Sequence, residues 1–223
     1  MSTGMSTSTG TSTGADARTG APPSLHGDAL AGLRARLAAD AERAGLLDVA
    51  YRVVDSPVGA LLVAAGERGV LRVAFEVQGH EAALTELAAR VSPRVLEGGR
   101  RLDPVLRELD EYFAGARRTF DVPVDLRLLE GFRRDVVATL PRVAYGTTAS
   151  YAAVAALAGR PAAVRAVGTA CARNPVPLLV PCHRVVRSDG TPGRYAGGDA
   201  AKTTLLALER APDGPSPAAG GRA

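Results

Sequence analysis

A two-part α/β chain is the fold class this sequence predicts, and three observations carry that expectation. Three β-like runs lie between residues 49 and 75, the spacing turns helical with basic surfaces from about Leu128, and both ends are low in complexity. The first part is expected to be a three-stranded antiparallel sheet with helices, and the second to be mostly helical.

Residues 1–27 are rich in Ser, Thr and Gly and short of large apolar groups, so they are expected to be a disordered tail, with His26 solvated in it. The Pro/Gly/Ala-rich residues 212–223 receive the same reading. Between them, 28–127 and 128–211 form two expected domains. Leu30, Leu33, Leu37 and Leu47 suggest an amphipathic helix over Asp28–Ala44. Val49–Val54, Ala60–Ala65 and Val70–Phe75 read as strands, joined by Ser56-Pro57-Val58-Gly59 and Gly66-Glu67-Arg68-Gly69, which have the content of hairpin turns. Residues 80–91 place Ala83, Leu84, Leu87 and Ala88 on one face of a helix that packs on that sheet. After a polar stretch, Asp103-Pro104 offers an N-cap and first-turn proline to a helix with Val105, Leu106, Leu109 and Phe113 as its apolar positions. The segment from Asp110 to Asp125 leads out of this part.

In the second half a helix over Phe132–Leu140 stops at Pro141, and Ser150 can cap a helix carrying Val154, Ala155 and Leu157. Gly159-Arg160-Pro161 breaks it, a second helix runs from Pro161 to about Arg173, and a final helix spans Ala200–Arg210. Two short helices joined by a Gly-containing turn are either a helix-turn-helix or a plain packing unit.

Composition narrows the functional classes. At 46% hydrophobic, 22% charged and a mean hydropathy of +0.05, the chain is of the ordinary globular kind. No stretch approaches the roughly 18 apolar residues of a membrane span, and the start lacks a basic-then-apolar signal, so a cytoplasmic protein is expected. Two cysteines, Cys171 and Cys182, make no disulfide framework. With His26, His80 and His183 scattered, no metal-ligand spacing appears, and neither metal nor cofactor is expected. The first 128 residues hold 15 basic and 17 acidic groups, whereas 129–210 hold 11 and 5. That asymmetry fits a nucleic-acid face, although solvated basic surfaces are also common. Lys202 is the sole lysine, a bias that reads as genome composition.

The strongest local signal is the run from Asn174 to Val186, Asn-Pro-Val-Pro-Leu-Leu-Val-Pro-Cys-His-Arg-Val-Val. Its prolines hold the backbone where a thiol, an imidazole and a guanidinium follow one another. On the residues alone, Cys182 is either a small buried apolar group or a nucleophile activated by its neighbours.

This run, preceded by Arg165-Ala166-Val167-Gly168 and followed by Tyr195 and Gly197-Gly198, resembles the O6-alkylguanine-DNA alkyltransferases. The match is dense over about Leu128–Glu209; Asp110-Glu111-Tyr112-Phe113-Ala114-Gly115 and the strand start at Tyr51 resemble the family's N-terminal part more loosely. The resemblance implies a ribonuclease-H-like N-terminal domain and a C-terminal domain with a helix-turn-helix in the DNA minor groove. It implies irreversible, single-turnover transfer of an alkyl group from O6 of guanine to Cys182, on double-stranded DNA and by a monomer. His183 would act as base through a water, Glu209 would orient it, and Asn174 would support the site. Arg165 would fill the place of the flipped nucleotide, Tyr151 would contact that nucleotide, and Ala166 and Gly168 would allow close approach. Tyr195, the Ala196 N–H, the Cys182 and Val185 carbonyls and Cys171 would line the pocket, closed by the loop Pro192–Gly198.

The chain departs from the family in lacking Trp and a Phe-Gln pair, reading Gly131-Phe132-Arg133-Arg134 instead, and in having Ala196 where Ser is frequent. Altered packing with the chemistry kept is expected. Two rival functions remain at this stage, a non-catalytic lesion binder and a Cys182/His183 hydrolase. The presence of Cys182 argues against the first; no evident oxyanion hole supports the second.

Overall fold

The computed structural model describes residues 25–210. The expected tails lie outside that range except at residues 25–27, which begin a helix where a disordered tail is expected; the expectation for the His26 side chain lies outside what is described. Helix α1 covers Leu25–Arg43, three residues earlier than expected at its start. Its Leu33 and Leu37 are exposed, whereas Ala38 is buried. The helix is docked instead by Glu42, whose carboxylate accepts from Arg101 Nε at 2.9 Å and from the Arg100 backbone N–H at 3.0 Å.

Strands β1 (Val49–Val54), β2 (Leu61–Gly66) and β3 (Gly69–Phe75) form the expected antiparallel meander. A fourth strand, β4 (Val95–Glu97), pairs parallel to β1, so the sheet is mixed with order β3-β2-β1-β4 and is not three-stranded. This corrects the reading of 92–102 as a polar connection. Three residues between Ser92-Pro93 and Gly98-Gly99 are too few to show alternation, and the pairing is long-range.

Alternation divides the sheet into two faces. Val49, Leu62, Ala64, Leu71 and Ala74 meet Ala83 and Leu87 of α2 (His80–Arg90). Ala50, Leu61, Val63, Val73 and Phe75 enter a second, larger core with α3 (Asp103–Phe113) and the C-terminal helices. β2 is buried at every position because both faces are covered. At α3 the cap differs from expectation: Asp103 is already helical, after a 3₁₀ turn over Arg100–Leu102, and makes no side-chain cap.

The free edge of β3 is covered rather than exposed. Val70 N–H donates to Pro123 O at 2.8 Å, and Val73 N–H donates to Pro175 O at 2.8 Å. Gly69, at φ +129°, is required here, since a Cβ would stand 2.2 Å from the Pro123 carbonyl oxygen. The second contact ties the sheet to the Asn174–Val186 run.

Beyond it come α4 (Gly131–Thr139), β5 (Ala149–Ser150), α5 (Tyr151–Leu157), α6 (Val164–Ala172), β6 (Val185–Val186) and α7 (Gly198–Arg210). Ser150 caps α5 as expected, its Oγ accepting from Ala153 N–H at 3.1 Å. α5 and α6 pack on each other and on α4, and β5 pairs parallel to β6. Among the described residues no helix is long and apolar enough to cross a membrane.

Candidate active site

The Pro-rich run makes a tight turn. Val180 N–H donates to Val176 O at 3.0 Å, and Leu178 sits at φ +75° with its side chain buried. A left-handed leucine costs on the order of 1 kcal/mol or more, and it persists here because flanking prolines and its buried side chain leave no alternative. Cys182–Arg184 then form one 3₁₀ turn, all three buried.

Asn174 fixes the turn and the thiol together. Its Oδ1 accepts from Val176 N–H at 3.1 Å, while Nδ2 donates to Val180 O at 2.9 Å and to Cys182 Sγ at 3.2 Å. Burial pushes the Cys182 thiol up to about 11, against the opposing hydrogen bond from Asn174 and the Lys202 charge. Cys182 therefore rests as a thiol, and attack needs a base.

His183 supplies the arrangement for one. It is fully buried, and burial keeps its imidazole neutral despite the neighbouring Glu209. Its Nε2 lies 2.8 Å from Glu209 Oε1. Burial alone would raise the Glu209 carboxyl, but hydrogen bonds from His183 and Arg184 outweigh it and hold the group at about 2. An ionised carboxylate only accepts, so Nε2 carries the proton and Nδ1 presents a lone pair. That Nδ1 is buried and has no protein partner.

Glu209 is the hub of this network. Arg184 donates to it twice, from Nε to Oε2 and from Nη2 to Oε1, each at 2.9 Å, and sends Nη1 to Val143 O at 2.7 Å. Tyr112 Oη donates to Oε1 at 2.8 Å, and Gly146 N–H to Oε2 at 3.2 Å. α3, the 143–146 loop, the Cys182 turn and α7 thus converge on one carboxylate.

The residues expected to line a pocket lie as follows. Tyr195 is buried, edge-on to Phe75 at 5.4 Å and to His183 at 6.2 Å between ring centroids, and its Oη is unpartnered. Tyr151 is half-buried, and burial raises its phenol, reinforced by the sulfurs of Cys171 and Cys182. A Cβ on Gly193 would stand 2.1 Å from Tyr151 Oη, so the 192–198 loop lies against the start of α5. Cys171 is buried and inert as a thiol, raised by burial and by Cys182. The Val185 carbonyl accepts from Lys202 Nζ at 2.6 Å, which occupies one of its lone pairs. Ala196 is half-buried in the loop. Arg165 and Ala166 face outward on α6, with Gly168 partly covered by the Tyr151 ring; these are not part of the buried cluster.

Four participants escaped the sequence reading: Arg184, Tyr112, Gly146 and Lys202. Lys202 is fully buried, donating to Val185 O and, at 3.2 Å, to Gly193 O, so it ties the Cys182 strand to the loop. Its being the sole lysine was the available signal. Among the described residues no group of three or more His, Cys, Asp or Glu could hold a metal.

Residues 49–126 match the family model for the ribonuclease-like domain of 6-O-methylguanine DNA methyltransferase, and 131–211 match that for its DNA-binding domain. The chain is 40% identical over 162 residues to a methylated-DNA–protein-cysteine methyltransferase of Mycolicibacterium paratuberculosis, covering 73% of this chain and 93% of the relative. It is also 40% identical over 175 residues to the Mus musculus protein of that name, covering 74% and 82%. The crystal structure of the Mycobacterium tuberculosis O6-methylguanine methyltransferase is similar at TM-score 0.64 and 36% identity, covering 74% and 95%. A structure of the M. tuberculosis protein in complex with DNA is similar at 0.61 and 34%, covering 72% and 92%.

Proposed function

Because the chain belongs to the methylated-DNA–protein-cysteine methyltransferase family, we propose that Cys182 is its acceptor thiol and that His183 and Glu209 activate it. The protein repairs DNA by direct reversal: an alkyl group passes from O6 of guanine to a cysteine of its own chain, and each molecule acts once.

The observation that carries the assignment is the unpartnered Nδ1 of a neutral, buried His183 beside a thiol held at about 11. A water between them passes the thiol proton to Nδ1 while Sγ attacks the alkyl carbon. The S–C bond forms, the C–O6 bond breaks with its electron pair on the guanine, and the proton from the imidazolium completes neutral guanine through solvent. Glu209 fixes the tautomer and stabilises the transient imidazolium.

Cys182 is 2% exposed, so a guanine within a duplex cannot present O6 to it without leaving the stack, at a cost of a few kcal/mol. In this reading α5 and α6 are the helix-turn-helix in the minor groove, and Arg165, exposed on α6, fills the vacated position. Ala166 and Gly168 let the helix approach the sugars, while Tyr151 contacts the extruded nucleotide. Tyr195 walls the pocket, the Ala196 N–H meets O6, and Cys171 lines the far side. Cys182 O and the remaining lone pair of Val185 O accept from the exocyclic amine.

A single-turnover reaction with duplex carrying one O6-methylguanine tests the assignment. Peptide mass analysis should find one methyl on Cys182 and none on Cys171, and a methyl elsewhere or repeated turnover would overturn it.

A further inference from the structure

A second cleft, of about 330 Å³, lies on the seam between the sheet and the C-terminal helices, and Asn174, whose amide also holds the Cys182 thiol, is among its lining residues. It presents four guanidinium groups: Arg72 of β3, Arg90 of α2, Arg133 of α4 and Arg173 at the end of α6. One carboxylate opposes them. Glu86 lies 3.4 Å from Arg72 Nη1 and 2.9 Å from Arg90 Nη1. Arg133 and Arg173 are exposed, and their guanidinium groups have no hydrogen bond or ion pair among the described residues. Deeper in, Arg72 Nε is buried without a partner, an unsatisfied donor of the kind that planar oxyanions meet.

We propose that this cleft binds a phosphodiester of the DNA backbone flanking the lesion, an inference that rests on α6 being the DNA-facing helix. Arg165, Thr169 and Arg173 are all exposed at i, i+4 and i+8, so one outward stripe runs the length of α6. Eight residues of helix span about 12 Å. A duplex carries one phosphate charge per ~1.7 Å of its axis, so backbone engaged near Arg165 continues to the mouth of the cleft. Arg133 and Arg173 grip the phosphate from the two helices, and Arg72 Nε supplies the inner donor. The three net positive charges are kept unneutralised because the anion that completes them is the DNA.

The test is the salt dependence of binding to undamaged duplex. Losing the one phosphate contact lowers the slope of log K against log salt by about 0.9 and weakens binding at 0.1 M salt about eightfold. That is expected of Arg133→Gln with Arg173→Gln, whereas Arg133→Lys with Arg173→Lys should retain the slope. Arg36→Gln with Arg107→Gln removes the same charge from exposed positions on α1 and α3. A Gln pair no worse than this control overturns the proposal. So does pyrophosphate raising the melting point of wild type but not of the Gln pair while the DNA slopes coincide, which would mark a site for free phosphates. Failure of the underlying reading is separate: wild-type protein that leaves the methyl on O6 in duplex contradicts alkyl transfer, while the slopes still decide the cleft.

Discussion

An ion pair from each half of the molecule shows two ways of holding charge. Beside the N-terminal sheet Arg94 and Asp48 pair at the surface, meeting at 2.8 Å with side chains 51% and 35% exposed. Around Glu209 the pair with Arg184, at 2.9 Å, is 8% and 1% exposed. Water and salt screen the first, so its geometry matters little to the fold. The second is worth keeping only if every member is satisfied, and Glu209 accordingly collects donors from His183, Arg184, Tyr112 and Gly146. Single carboxylates are buried elsewhere, Glu108 and Asp125 among them, but around Glu209 the imidazole of His183 and the guanidinium of Arg184 are buried with it.

That contrast can be broken at several points. The largest effect is on chemistry: Cys182→Ala should abolish methyl transfer in the single-turnover assay while retaining binding to lesion-bearing duplex. Next, Arg184→Ala leaves a buried carboxylate short of its bidentate partner and should cost about 3–5 kcal/mol in urea unfolding; a loss below 1 kcal/mol would mean that the network is not the strut described here.

Acid should act on the same half. His183 has its folded pKa below the ordinary 6.5, so the unfolded chain takes up the proton first and stability falls as pH drops below that value. Glu209 is depressed from 4.5 to about 2, so its contribution is full above 4.5 and is lost between those values. Unfolding midpoints measured from pH 8 to 3 should decline in that order; a flat profile down to pH 4 would contradict the His183 assignment, and no further decline from pH 4 to 3 would contradict that of Glu209.

A smaller effect is steric. A Cβ on Gly197 would stand 2.7 Å from the Phe75 ring, so Gly197→Ala should cost about 1–3 kcal/mol and slow transfer by displacing Tyr195. Smallest of all, Arg94→Ala should leave the melting midpoint unchanged within replicate scatter, at low salt and high.

How far the sequence foretold this depends on range. β1 stands at its expected residues because alternation is local, and Ser150 caps α5 because capping is read within three positions. β4 was missed since only its partner, over 40 residues away, makes it a strand. In α1 the leucine spacing pointed to Leu33 and Leu37 as the packed face, yet polar docking at Glu42 turns both outward. At the site, Cys182 and His183 were legible from a short rigid motif. Glu209 came only through the family resemblance, and Arg184 and Tyr112 gained no role because their meaning lies in a carboxylate 25 and 97 residues away.

Lys202 also reports on the opening of the site. The sole lysine of the chain is fully buried, its ammonium held between the Val185 and Gly193 carbonyls. Acylating reagents aimed at lysine therefore find none within reach until α7 and the 192–198 loop part. The rate at which Lys202 becomes labelled is a built-in clock for opening of the site, readable by mass without any engineered probe.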